Sequence, residues 1–367
     1  MKKRLLLARI PPASIRLFIN CVSVNRTVYS SFLQKRLKNK LKDWVIVMGN
    51  FVAIVLFVLG LVLIIKCGDY FVDSASWIAE VSGVPKFVVG ATIVSVGTTL
   101  PELLVSSIAT YKGNIDMATG NAIGSVTANT GMILALFIIC MPFVVKKSEF
   151  SFKALIMLSA TAILFIFTLD GKLTLVESII LLLVFIIFFV ENFLATKRNA
   201  SSADKEERLK ISGKKEVAEN IIMFFGGAVG ITIGAQLLVT NGTKIAEMIG
   251  ISERVISVIA IAIGTSLPEL VTTLTALRKK QGSLSVGNIL GANIIDMVMI
   301  LPVCSLISGG TLAVKPDTVR YDLPACLIIM TIAVFPTLFT KKLQRWQGIL
   351  MMALYAVYLI LTVFVIG

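Results

Sequence analysis

SVGTTLPELLVS, residues 95–106, recurs as AIGTSLPELVTT at residues 262–273, and on this pair the fold turns. A second pair follows: GNAIGSVTAN at 120–129 and GNILGANIID at 287–296. Thr98 and Thr265, Pro101 and Pro268, Glu102 and Glu269, and Asn129 and Asp296 are each 167 residues apart. A fixed offset held across two motifs is the mark of an internal duplication.

The medium around the repeat follows from composition. Of the 367 residues 56% are hydrophobic and only 15% charged, against roughly 25% in soluble domains. Apolar runs such as 51–65 and 178–190 offer water almost nothing. At about 20 residues per crossing, the chain reads as ten spans near 50–66, 84–111, 117–144, 150–169, 173–194, 219–241, 253–277, 284–308, 320–339 and 347–366. The expected fold is all-α and polytopic. The first five-helix repeat covers 48–194, a polar linker covers 195–218, and a second repeat covers 219–367. An odd number of spans per repeat forces the second to enter the membrane inverted, as in secondary transporters with midplane sites.

Charge sets the orientation. The net charge is +14, but the basic residues sit in short clusters between apolar segments, so nucleic acid is not an expected partner. With the linker in the cytoplasm, eighteen Lys and Arg fall on that side and six on the other, the remaining eleven of the 35 lying in residues 1–47. Those eleven conflict with the bias of the loops. Either the basic extension 1–47 is disordered or misannotated, with translation starting near Met48, or the span count is off by one. Cys21, Cys67, Cys140, Cys304 and Cys326 form no CxxC pair, and the absence of histidine removes imidazole ligands and relays.

Glu102 and Glu269 each fall mid-span, where a carboxylate costs about 2.5–3.5 kcal/mol on insertion scales for comparable charges. Asp296 is a third acid at depth. No Lys or Arg lies in the core of the second, third, seventh or eighth span, so a proton, a cation or a polar group must answer these charges. Pro101 leaves the Gly97 carbonyl without its helical bond, and Pro268 does the same for Gly264; both are read as helix breaks lining a site. Thr98 and Thr99 share a helix face with Glu102, as Thr265 and Ser266 do with Glu269. Asn121, Ser125 and Asn129 form one face of the next span, and Asn288, Ala292 and Asp296 its counterpart. This donor set is all oxygen, which suits hard cations such as Ca²⁺. Gly120 with Gly124, and Gly287 with Gly291, allow close helix approach.

Each feature has a plainer reading. One GTSLPE copy would pass for a proline kink with a capping threonine; two at a fixed offset, each with a mid-span glutamate, do not. Asn129 could be interhelical glue, the glycines packing, and Glu80, Glu177, Glu191 and Glu247 surface or interfacial groups.

The paired motifs resemble the repeats of the cation/calcium exchanger superfamily, most closely its prokaryotic sodium/calcium exchanger branch, over essentially 48–367. The resemblance implies Ca²⁺ binding by Glu102, Glu269, Thr98 and Thr265. It implies sodium sites from Thr99, Ser266, Ser125, Asn129, Asp296 and the two glutamates, with the backbone carbonyls of Ser95 and Ala262. It also implies that the first and sixth spans slide as a gate. This chain departs at Ala292, where the family often carries Ser, so one sodium ligand is expected to be missing. The implied activity is Na⁺/Ca²⁺ antiport by alternating access, with no cofactor, in a lipid-embedded monomer of a prokaryotic inner membrane, its linker cytoplasmic. Proton- or potassium-coupled antiport and, from another class, a passive cation channel are the rivals. No Ser/His, Asp-dyad or metal–His constellation points to an enzyme.

Overall fold

The computed structural model describes residues 12–202, 213–249 and 264–362. The chain divides into a unit Met1–Val55 and a unit Leu56–Gly367, and the motifs all lie in the second. The helices are α1 (Pro12–Ser82), α2 (Lys86–Tyr111), α3 (Ile115–Cys140), α4 (Lys147–Asp170), α5 (Leu175–Ser202), α6 (Lys214–Met248), α7 (Leu267–Arg278), α8 (Gly282–Ile307), α9 (Thr318–Thr340) and α10 (Arg345–Leu361). Helix α1 begins at Pro12 and runs on through the first expected span.

Among the described residues eight helices are long and apolar enough to cross a membrane. Two of the ten expected spans are not among them. The seventh begins in residues outside the description, and the tenth, α10, is 17 residues long. Val58, Val62, Ile65, Ile179, Leu183, Ile186 and Val229 are exposed. Apolar surface of this extent belongs against lipid, not water. The protein is an integral membrane protein.

Burial ranks the helices. The apolar window of α8 is 83% buried and that of α3 72%, against 22% for α1 and 28% for α6. The helices carrying the second motif are thus central, and α1 and α6 peripheral. A glycine seam lets α1 and α6 meet. A Cβ on Gly60 would stand 2.9 Å from the Gly234 carbonyl, and one on Gly227 2.9 Å from that of Cys67. Phe71 and Phe224 stack beside it, 4.7 Å between ring centroids.

Other contacts cross between the halves. The end of α3 packs on α10, the end of α8 on α5, and α4 on α9. Two short antiparallel ladders repeat the exchange. Strand β1 (Phe143–Val144), after α3, pairs with β4 (Lys342–Leu343), before α10. Strand β2 (Lys172–Thr174), before α5, pairs with β3 (Thr311–Ala313), after α8. Among the described residues these ladders are the only strands; they satisfy backbone groups where helices end.

Candidate functional site

The first motif lies wholly on α2. Pro101 sits inside its regular run Ser95–Tyr111 without interrupting it. The expected break at Gly97 and Pro101 is replaced by a π turn one step upstream, Gly90–Val94. A proline removes one helical bond, and an inserted π residue relieves a helix by local widening. The second motif behaves differently. Thr265 and Ser266 form a turn, and α7 starts at Leu267 with Pro268 in its first turn, where a missing amide hydrogen costs nothing. Gly264 and Pro268 thus do flank a break. Ala262 lies outside the described residues.

The second motifs end in matching distortions. A π turn covers Asn129–Leu134 in α3, and another covers Asp296–Ile300 in α8, beginning at the paired positions 129 and 296. Such bulges widen the helix where a polar side chain faces a site.

The motifs converge. Glu102, Glu269 and Asp296 are buried within each other's electrostatic reach. The hydroxyls of Thr98 and Thr99, from the first half, lie beside the Glu269 carboxylate of the second but outside hydrogen-bonding geometry. Ser125 on α3 stands 3.1 Å from Thr265, hydroxyl to hydroxyl. Thr98 donates to the Asn288 side-chain carbonyl at 3.2 Å and has its own backbone acceptor, the Ser95 carbonyl, at 3.3 Å. Asn121 donates to Ser106 Oγ at 2.9 Å and to the Glu102 carbonyl at 3.4 Å.

What these residues lack is equally specific. Among the described residues, neither carboxylate oxygen of Glu102 or of Glu269 has a hydrogen-bond partner, nor has Thr99 Oγ1, Ser266 Oγ, Asp296 Oδ1 or either amide atom of Asn129. Three pairs of positions related by the repeat are thus unsatisfied in both copies. Asn129 makes no hydrogen bond that would glue helices. Buried polar atoms are ordinarily paired, so a cluster of orphans marks where something else supplies the charge or the contact. The orphans are oxygens, apart from the Asn129 nitrogen, and the described residues gather no group of three or more His, Cys, Asp or Glu into a metal centre. The site therefore fits a hard, exchangeable cation ringed by hydroxyl, carbonyl and carboxylate oxygen.

The sequence matches the sodium/calcium exchanger protein family over residues 52–194 and 219–364. This chain belongs to the sodium/calcium exchanger family. It is similar to an uncharacterised membrane protein of Methanocaldococcus jannaschii, 35% identical over 82% of this chain and 95% of that one. It is also similar to the sodium/calcium exchanger MaX1 of Methanosarcina acetivorans, 29% identical over 84% of this chain and 98% of that one. A solved structure of the sodium-calcium exchanger NCX_Mj, soaked with Na⁺ and Sr²⁺, superposes with a TM-score of 0.71 at 31% identity, covering 84% of this chain and 98% of that one.

In this exchanger several contributors had drawn no notice in the sequence. Thr272, Thr273, Ser106, Thr130 and Asn293 are buried polar residues around the motifs. Asn293 donates to Thr130 at 2.8 Å, joining α8 to the π turn of α3. Thr272 and Ser106 lie three and four residues past the motif glutamates, one helical turn on, and that spacing is the signal that could have exposed them. The glycine faces are half realised. A Cβ on Gly287 would stand 2.2 Å from the Phe87 carbonyl and one on Gly291 2.5 Å from that of Ala91, whereas Gly120 and Gly124 meet no described atom within 4 Å. The positions that the repeat places opposite them, near 254–258, lie outside the described residues. Glu191, read as a surface or interfacial group, instead forms a 3.7 Å ion pair with Lys153, whose side chain is buried. The lysine stem can pack in apolar surroundings while its head finds the carboxylate.

Proposed function

We propose that the protein exchanges Na⁺ for Ca²⁺ by alternating access, with Ca²⁺ held between Glu102 and Glu269 and completed by Thr98 and Thr265. Sodium occupies overlapping positions at Thr99, Ser266, Ser125, Asn129, Asp296, the two glutamates and the carbonyls of Ser95 and Ala262. The observation that carries the reading is the duplicated set of buried oxygens without hydrogen-bond partners. Family membership supplies the ions: the related exchangers are named for sodium and calcium. A cavity with bare, unpaired carboxylates is costly to close, and neutralisation by either cargo permits the switch.

The architecture proposed around this site is ten spans in two inverted five-helix repeats, with residues 195–218 in the cytoplasm of a prokaryotic inner membrane and the monomer as the working unit. The exchanged contacts support it: each ladder and each end-of-helix contact in one half has its counterpart with the halves swapped. In this reading α1 and α6 slide as the gate, supported by their peripheral position and the glycine seam between them.

Flux in proteoliposomes tests the function. An imposed Na⁺ gradient is expected to drive ⁴⁵Ca²⁺ in the opposite direction. Uptake that ignores Na⁺ but follows a pH gradient would instead assign protons to the three acids, and uptake needing K⁺ would assign a potassium-coupled cycle.

A further inference from the structure

Three hydrogen bonds in series end on the Thr98 hydroxyl. Thr272 Oγ1 donates to the carbonyls of Pro268 and Glu269, each at 3.0 Å. Its oxygen then accepts from Asn288 Nδ2 at 3.1 Å. The Asn288 carbonyl oxygen, so oriented, accepts from Thr98 Oγ1 at 3.2 Å. All of these side chains are buried. The direction of the series follows from the hydrogens. A buried helical threonine commits its single hydrogen to a carbonyl one turn back, which leaves Thr272 only as an acceptor. Asn288 must then turn its amide nitrogen toward Thr272 and its oxygen toward Thr98.

The Thr98 hydrogen has a competing acceptor, the Ser95 carbonyl at 3.3 Å. A hydroxyl donates once, so whichever acceptor takes that hydrogen loses a lone pair. We propose that Asn288 is a positioning residue that draws the Thr98 hydrogen away from the Ser95 carbonyl, leaving both the Thr98 oxygen and that carbonyl free to face the transported cation. This rests on the reading of Thr98 and the Ser95 carbonyl as ligands. Without Asn288, the Thr98 hydroxyl closes on Ser95: that carbonyl gives up a lone pair, and the lone pairs of the Thr98 oxygen are re-aimed as its hydrogen turns. The series also ties the two halves together, since it starts on the Glu269 backbone and ends on the first motif. The repeat-related residue is differently engaged: Asn121 donates to Ser106 and to the Glu102 carbonyl, its own oxygen has no described partner, and Thr265 turns to Ser125 instead.

A double-mutant cycle on the full-length protein in proteoliposomes tests this, reading the Ca²⁺ concentration for half-maximal exchange. Asn288→Leu, near in volume but with no acceptor, is expected to raise it about tenfold, the scale of one ordinary hydrogen bond. Thr98→Ala is expected to raise it as well, and the double variant no further than Thr98→Ala alone, because Asn288 acts through that hydroxyl. Additive effects would overturn the proposal, since a residue that merely supports packing would weaken the Thr98→Ala protein too. If Asn288→Leu does not yield a monodisperse protein, Thr272→Val carries the test: it keeps the shape and releases the amide, and the same non-additivity with Thr98→Ala is expected. An unchanged half-maximal Ca²⁺ concentration in Thr98→Ala would remove the ligand reading and the relay with it. A raised value in Thr98→Ala alone, with Asn288→Leu and Thr272→Val unaffected, would remove the relay and leave the ligand reading standing.

Discussion

Ser125 and Thr265, 140 residues apart in the chain, bring their hydroxyls within 3.1 Å of each other. One comes from the second motif of the first half, the other from the turn that opens the first motif of the second. The contact has no counterpart at the repeat-related pair, because position 292 is alanine and Thr98 bonds Asn288. Two copies of nearly one sequence thus sit in two hydrogen-bonding arrangements within one molecule.

The proposed site draws its charge from two glutamates. Either Glu102→Gln or Glu269→Gln is expected to cut Ca²⁺ exchange by about tenfold or more, an effect of at least ~1.4 kcal/mol on binding. A divalent ion between two carboxylates loses half its formal neutralisation when one is removed. ⁴⁵Ca²⁺ uptake in proteoliposomes measures it, and near-normal uptake in both variants would remove these residues from the site.

Ala292 is fully buried on α8, beside Gly291, whose Cβ position would meet Ser95 Oγ at 2.6 Å. A hydroxyl added here would supply one more oxygen close to the proposed sodium ligands. Ala292→Ser is expected to lower the half-maximal Na⁺ concentration about threefold, less than one ordinary hydrogen bond. An unchanged sodium dependence would show that position 292 contributes no ligand.

The α2–α8 contact is built on backbone proximity. Gly287→Ala would place a methyl 2.2 Å from the Phe87 carbonyl, and backbone cannot rotate away. Overpacking of this kind costs about 1–3 kcal/mol. A lowered midpoint of thermal unfolding in detergent is expected, and an unchanged midpoint would mean that the two helices separate without penalty.

Lys153 is buried over the Phe87 ring, 5.6 Å from its centroid, and depends on Glu191 for its nearest ion pair. Glu191 is 27% exposed, so the pair is partly screened. Glu191→Gln is expected to destabilise the protein by about 1–3 kcal/mol, below the cost of breaking a fully buried pair. Lys153→Met on that background is expected to recover most of the loss, since it removes the uncompensated charge. Thermal unfolding of the three proteins measures both, and a double variant weaker than Glu191→Gln would sink the argument.

Much of this was legible in the chain itself. The duplicated motifs, the mid-span glutamates and the oxygen-rich donor set are local features: they need only residue type, spacing and the run of apolar residues around them. Most of the spans followed from hydropathy for the same reason. Tertiary structure alone decided which of two near-identical proline motifs breaks its helix. The first continues through Pro101 and the second stops before Pro268, because continuation depends on what packs against the helix, and propensity is overridden by that contact. It decided likewise that Lys153 is buried beside Glu191, that Asn288 meets Thr98 across 190 residues, and that the π turns open at Asn129 and Asp296. A hydrogen bond between distant segments leaves no period in the sequence. Its partners are chosen by how the helices lie against each other, and only the folded chain fixes that.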